Sequence, residues 1–126
     1  MNLLLDSHAV LAIAFEPPKL SSRARDAIQA PGNIVFISAI SPYELELKKA
    51  LGKLSYPDVA DWSTLAAQAG WQALPMSVAH GVAAARLPHH HGDPWDRLLV
   101  AQAMLELLTL VSADKRIARY GLAVLW

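Results

Sequence analysis

Two short runs, Leu3-Leu4-Leu5 and Ile34-Val35-Phe36-Ile37, are apolar at every position, odd and even alike. Successive side chains of a β-strand point to opposite faces, so such runs can be strands only in a sheet that is covered on both sides. Further strand-sized apolar stretches lie at Trp71 to Leu74, Thr109 to Val111 and Leu122 to Leu125, and helical segments alternate with them. That alternation predicts an α/β fold whose strands run parallel, with helices on both faces.

The helical segments are bounded by ordinary stop and start signals. His8 to Phe15 and Leu20 to Ala30 are separated by Pro17-Pro18, with Ser21 or Ser22 capping the second. Pro42 to Leu51 stops at Gly52, Asp58 to Ala69 stops at Gly70, and Ser77 to Arg86 ends before Pro88. The helix from Pro94 to about Leu108 is apolar at Trp95, Leu98, Leu99, Val100, Met104, Leu105 and Leu107, which predicts a largely buried core helix.

Two of these helices open on the same kind of signature, Ser41-Pro42-Tyr43-Glu44 and Asp93-Pro94-Trp95-Asp96: a capping residue, a proline, an aromatic and an acid. A cap followed by proline and then an acid is a capping-box arrangement, so Glu44 and Asp96 are expected in first helical turns. Asp6 directly follows Leu3-Leu4-Leu5, and Asp114 follows Leu110-Val111 closely, each at a strand-to-helix turn. In a parallel sheet such turns gather at one edge, where open α/β folds bind ligands. Asp6, Glu44, Asp96 and Asp114 are therefore expected to converge. Each also has a purely structural explanation as a helix cap, but four acids at one edge repel one another, and a magnesium or manganese ion would relieve that.

Other residues carry weaker signals. Asp93 has a capping task already. Adjacent His89, His90 and His91 cannot all face one ion on a regular element, so a loop that contacts substrate or holds Asp93 is expected there. His8 and His80 fall on helices as satisfied imidazoles. Ser7 is placed to bond a carboxylate or a metal-bound water, or to cap a helix. Glu46 lies on a different helix face from Glu44 and is expected to pair with Lys49.

At 126 residues the chain is read as one domain, residues 1–126, with enough core to need no staple. It has no cysteine, which excludes disulfides and thiolate metal sites. No apolar run approaches the roughly 18 residues of a membrane span, and Asp6 interrupts the N-terminal run before it resembles a secretory signal. Cytoplasmic localisation is expected. Eleven basic and eleven acidic residues cancel, so net charge argues neither for nor against nucleic acid. An apolar fraction of 54% exceeds what a small core absorbs, which points to a buried partner surface such as a homodimer.

The motifs, taken in order, resemble those of the PIN-domain ribonucleases, specifically VapC-type toxins of bacterial toxin–antitoxin pairs. The resemblance rests on Leu3-Leu4-Leu5-Asp6-Ser7-His8, on Ser38-Ala39-Ile40-Ser41-Pro42-Tyr43-Glu44 followed by Lys48 and Leu51-Gly52-Lys53-Leu54, on Leu87 through Ala103, and on Ser112-Ala113-Asp114 with Tyr120-Gly121. It implies a PIN-like three-layer α/β/α fold with a five-stranded parallel sheet, Mg²⁺ or Mn²⁺ dependence, cleavage of RNA, and restraint by a cognate antitoxin. The family's acidic positions fall on Asp6, Glu44, Asp96 and Asp114, with Asp6 and Asp96 as metal ligands. Lys48, Arg97, Lys115 and Arg116 are candidates to position the phosphate backbone. Tyr43 and Trp95 stand where Trp and Phe are commoner, Gly92 replaces a frequent Arg, and Glu46 adds an acid.

Different classes of function make different demands. A phosphoacceptor receiver module needs an acidic pair after its first strand and a lysine near its last, whereas Asp6 is followed by Ser7 and Leu122 to Trp126 contains no lysine. A phosphohydrolase with an aspartyl nucleophile wants a second Asp where this chain has His8. A catalytically silent, antitoxin-binding protein satisfies the same motifs as the nuclease.

Overall fold

The structure is a computed structural model that describes all 126 residues. Five strands, β1 (Asn2–Leu5), β2 (Ile34–Ser38), β3 (Gln72–Leu74), β4 (Thr109–Val111) and β5 (Val124–Leu125), form one sheet in the order β3-β2-β1-β4-β5. Every pairing is parallel. The first strand in sequence is thus the middle strand in space: Leu4 stands opposite Phe36 on one side and Leu110 on the other.

The all-apolar strands are explained by two separate cores. Leu3 and Leu5 of β1, with Val35, Ile37, Val111 and Leu125, pack on one face against α1 (Ser7–Phe15), α2 (Ser22–Gln29), α3 (Ile40–Ala50) and α4 (Trp62–Gln68). Leu4 and Leu110 turn to the other face, against Leu99, Val100 and Ala103 of α6 (Pro94–Leu105) and Ile117 and Tyr120 of a 3₁₀ turn. Leu3, Leu4 and Leu5 are all 0% exposed, as a strand sandwiched between two helical layers requires. Helix α5 (Val78–Arg86) packs on α6. The result is the expected α/β/α arrangement, and no helix is long and apolar enough to cross a membrane.

Several boundaries differ from expectation, each for a local reason. Helix α3 begins at Ile40, two residues before Pro42, and Ser41 lies inside it rather than capping it. Proline is harmless there because first-turn amides have no helical acceptor to lose. Gly52 does adopt the left-handed conformation (φ 71°) that ends this helix. Helix α4 starts only after Asp61, whose carboxylate accepts from the Ser63 amide; Asp58 is drawn off to the Lys49 ammonium. Helix α6 stops at Leu105 rather than Leu108. Leu107 turns left-handed (φ 56°), and the Leu108 amide donates back to the Ala103 carbonyl at 2.8 Å, a Schellman-type end built without glycine. The buried part of α6 is its middle, Arg97 and Leu99 to Ala103, while Met104 and Leu105 at its end and Leu107 beyond it are exposed.

Candidate active site

Because the strands are parallel, the loops after β1, β2 and β4 open at one edge. A cavity of about 460 Å³ lies there, lined among others by Asp6, Glu44, Asp93, Asp96 and Asp114. Asp6 immediately follows β1 and its amide donates to the Val111 carbonyl of β4, which locks it to the edge. Glu44 lies in the second turn of α3, Asp96 in the first turn of α6, and Asp114 just beyond β4. Four separate segments thus bring the four expected acids to one opening, and from there the cavity continues along Leu11, Phe15, Leu54, Tyr56 and Trp126.

Two of the acids are firmly held. Asp6 Oδ1 accepts from the Ala9 amide at 2.7 Å, so Asp6 is the cap of α1 as well as a wall of the cavity. Burial pushes its carboxyl up, against the Ser112 hydroxyl and the Ala9 amide that favour the charged form. Glu44 is buried; Oε1 accepts from the Ser7 hydroxyl at 2.6 Å and Oε2 pairs with Lys48 one turn further on. The Ser7 side chain thus serves a carboxylate, one of the two tasks expected for it, and its hydroxyl is also 3.2 Å from Ser41 Oγ.

Asp96 and Asp114 differ in charge balance. Asp93 caps α6, its Oδ1 accepting from the Trp95 and Asp96 amides at 2.9 and 3.2 Å, as expected. Asp96 is left facing the cavity, where burial first and then the neighbouring Asp93 charge push its carboxyl up to about 6. Asp114 lies under a two-pronged Arg116 guanidinium at 2.7 to 3.2 Å, which holds it at about 2. One ligand atom each from His91, Asp96 and Asp114 lie within 4.8 Å of one another. The carboxylate oxygens gathered here suit a hard divalent cation, and a cation would offset the Asp93 charge that adds to burial in raising Asp96.

The aromatic third residues of the two signatures also meet: the Tyr43 and Trp95 rings lie 5.3 Å apart, holding the starts of α3 and α6 together. Three assignments need correction. Arg97 does not face the cavity. It is buried and donates to the carbonyls of Ala84, Leu87 and Pro88, tying α6 to the end of α5. Glu46 accepts from the Trp62 indole at 2.7 Å instead of pairing with Lys49, because Lys49 is taken up by Asp58 and the Tyr56 carbonyl. Of the three histidines only His91 turns inward, and it approaches Asp96 at 3.4 Å rather than Asp93. The sequence signal for His91 was its place five residues ahead of Asp96 in a loop pinned by Pro88 and Pro94, but nothing in it singled out one imidazole of three. His80 is a satisfied buried imidazole, bonded to the Ser77 amide and to Glu106. His8 is exposed at the rim.

Residues 3–122 match the PIN domain family. No curated protein sequence matches the chain significantly. Among solved structures, VapBC2 from Rickettsia felis, bound to a DNA fragment from its promoter, is similar with a TM-score of 0.71 at 20% identity, covering 98% of this chain and 97% of that one. FitAcB from Neisseria gonorrhoeae gives 0.60 at 19% identity over 97% and 95% of the two chains. VapBC-1 from nontypeable Haemophilus influenzae gives 0.61 at 15% over 98% and 96%. With nearly the whole chain matched by the family and the fold shared, the chain belongs to the PIN domain family.

Proposed function

We propose that this protein is a Mg²⁺- or Mn²⁺-dependent endoribonuclease, a VapC-type toxin of the cytoplasm restrained by a cognate antitoxin. The observation that carries the reading is the convergence of Asp6, Glu44, Asp96 and Asp114, from four segments, on one cavity at the sheet edge. Asp6 and Asp96 are the proposed metal ligands, with Glu44 and Asp114 completing the acidic wall. When bound there, a divalent cation lowers the pKa of water and offsets charge on a phosphodiester.

The chain's own residues then divide the remaining work. Asp6 and Glu44, held by the Ala9 amide and the Ser7 hydroxyl, keep their geometry without a ligand. Lys48 and Arg116, each resting on one of the acids, put positive charge at the rim where a phosphate backbone would pass, and Lys115 adds exposed charge beside them. The apolar extension of the cavity along Leu11, Phe15, Leu54 and Trp126 supports a peptide partner, since a nucleic-acid backbone has no use for such a wall. The structural similarity to VapBC2 and FitAcB points the same way. A receiver module is disfavoured by topology, because its strand order is 2-1-3-4-5 whereas the order here is 3-2-1-4-5.

The test is cleavage of defined RNAs by the purified chain with magnesium, with manganese and with EDTA. Cleavage is expected only with metal, and Asp6→Asn or Asp96→Asn should lower it at least about 100-fold. Wild-type cleavage by either folded variant would sink the role of that residue. No cleavage by the wild type, with tight binding to a co-expressed partner, would favour the silent antitoxin-binding protein.

A further inference from the structure

Arg97 is a buried cation with no carboxylate beside it. Beyond the three carbonyls that anchor it, its remaining contact is the Tyr120 hydroxyl, to which Nη1 donates at 3.2 Å. That hydroxyl lies 2.7 Å from His91 Nδ1, and His91 Nε2 lies 3.4 Å from Asp96 Oδ2. Four side chains, from α6, the 3₁₀ turn and the loop before α6, therefore form one unbroken chain that ends on a proposed metal ligand. The His91 side chain is only 3% exposed, and the rings of His90 and His91 pack edge-on against Tyr120 at 4.8 and 5.5 Å.

The two ends of this chain dictate the direction of every bond in it. A guanidinium can only donate, and an ionised carboxylate can only accept. With one lone pair of the Tyr120 oxygen taken by Arg97, its proton has a single acceptor within reach, His91 Nδ1. The imidazole then carries its own proton on Nε2, which points at Asp96. The opposite direction would leave the buried Tyr120 hydroxyl accepting twice while its proton faced no acceptor, and would set an imidazole lone pair against a carboxylate. Proximity alone would enlist His91 as a third ligand with Asp96 and Asp114; the hydrogen-bond direction excludes it, because the nitrogen nearest the cluster is the protonated one.

We propose that Arg97, Tyr120 and His91 form a one-way hydrogen-bond relay that fixes Oδ2 of Asp96 and leaves Oδ1 to face the cavity, making His91 and Tyr120 positioning residues for the acidic centre. The inference about metal affinity rests on the reading of that centre given above; the direction of the relay does not. Outer partners that orient a ligating carboxylate or imidazole commonly change metal affinity 10- to 100-fold when removed.

Two readouts on the full chain separate these layers. Long-range ¹H–¹⁵N correlation spectra, recorded where the imidazole is neutral, should show His91 as the Nε2–H tautomer alone, and Tyr120→Phe, which keeps the ring packing, should let both tautomers appear. Mn²⁺ then serves as the metal probe: Tyr120→Phe should weaken its binding about tenfold, and electron spin-echo spectra of the Mn²⁺-loaded wild type should show no directly bound imidazole nitrogen. An Nδ1–H tautomer in the wild type overturns the relay, as does a bound His91 nitrogen. Undiminished Mn²⁺ affinity in Tyr120→Phe, where Asp96→Asn has lost it, overturns the positioning role. If Asp96→Asn binds Mn²⁺ as tightly as the wild type, the cation-centre reading fails, and the tautomer still decides the relay.

Discussion

Asp96 keeps its proton up to about pH 6 because burial and the Asp93 charge both penalise its ionised form. A folded pKa above the ordinary 3.8 means that the folded state binds the proton more tightly than the unfolded chain. The stability this confers is full below pH 3.8 and is lost as pH rises through about 6, so at pH 7.5 an ionised Asp96 weighs against the metal-free fold. A shift of about two units corresponds to at most ~3 kcal/mol. Asp96→Asn removes that burden, but it also removes a negative charge from the first turn of α6, worth ~0.3–1 kcal/mol. In EDTA at pH 7.5 the variant is expected to melt higher by on the order of 1–2 kcal/mol, about 4–8 °C, and the two melting curves should converge below pH 4. Magnesium should stabilise the wild type by mass action and the variant much less. If Asp96→Asn melts lower in EDTA at pH 7.5, Asp96 acts as a helix-dipole acid and not as part of a crowded cluster. The four acids could be picked out from sequence because each sits one turn or less from a strand end or a proline. Their unequal charge states could not, because Arg116 over Asp114 and His91 beside Asp96 are contacts made by side-chain direction rather than by spacing.

Elements were read best where the chain signals their ends chemically. Ser21 caps α2, Ser77 caps α5 and Asp93 caps α6, each accepting from an amide two or three residues on. The misplaced ends have other contacts behind them: α3 starts at Ile40, whose amide donates to the Ser38 hydroxyl, and Asp58 is held away from α4 by Lys49. The end of α6 failed for another reason, since Leu107 adopts a left-handed conformation that the residue type disfavours. Its side chain is 89% exposed, so little packing is at stake. Leu107→Gly is therefore expected to stabilise the fold by ~0.5–1 kcal/mol, read as a higher denaturant midpoint with an unchanged m-value. A lower midpoint would mean that the exposed leucine is covered by something, a second copy included.

Across the whole molecule the exposed large apolar side chains are scattered, with Met1, Ile34, Tyr43 and Leu51 apart from a group on two helices. Val78 and Val82 on α5, with Met104, Leu105 and Leu107 at the end of α6, are exposed. The homodimer expected from composition is tested there: light scattering after size exclusion should find two copies in the wild type and one in Val82→Glu. A variant that stays dimeric would move the interface elsewhere. The sheet order has a consequence in time. β1 is the central strand, and one of its two neighbours is β4, which follows it by more than a hundred residues. Until β4 has been made, Asp6 is anchored on one side only, and it acquires its bond to the Val111 carbonyl when β4 joins the sheet. Asp114 emerges later still. A chain that stops short of β4 therefore carries three of the four acids beside half a sheet, and the pocket closes around the fourth only after β4 has paired with β1.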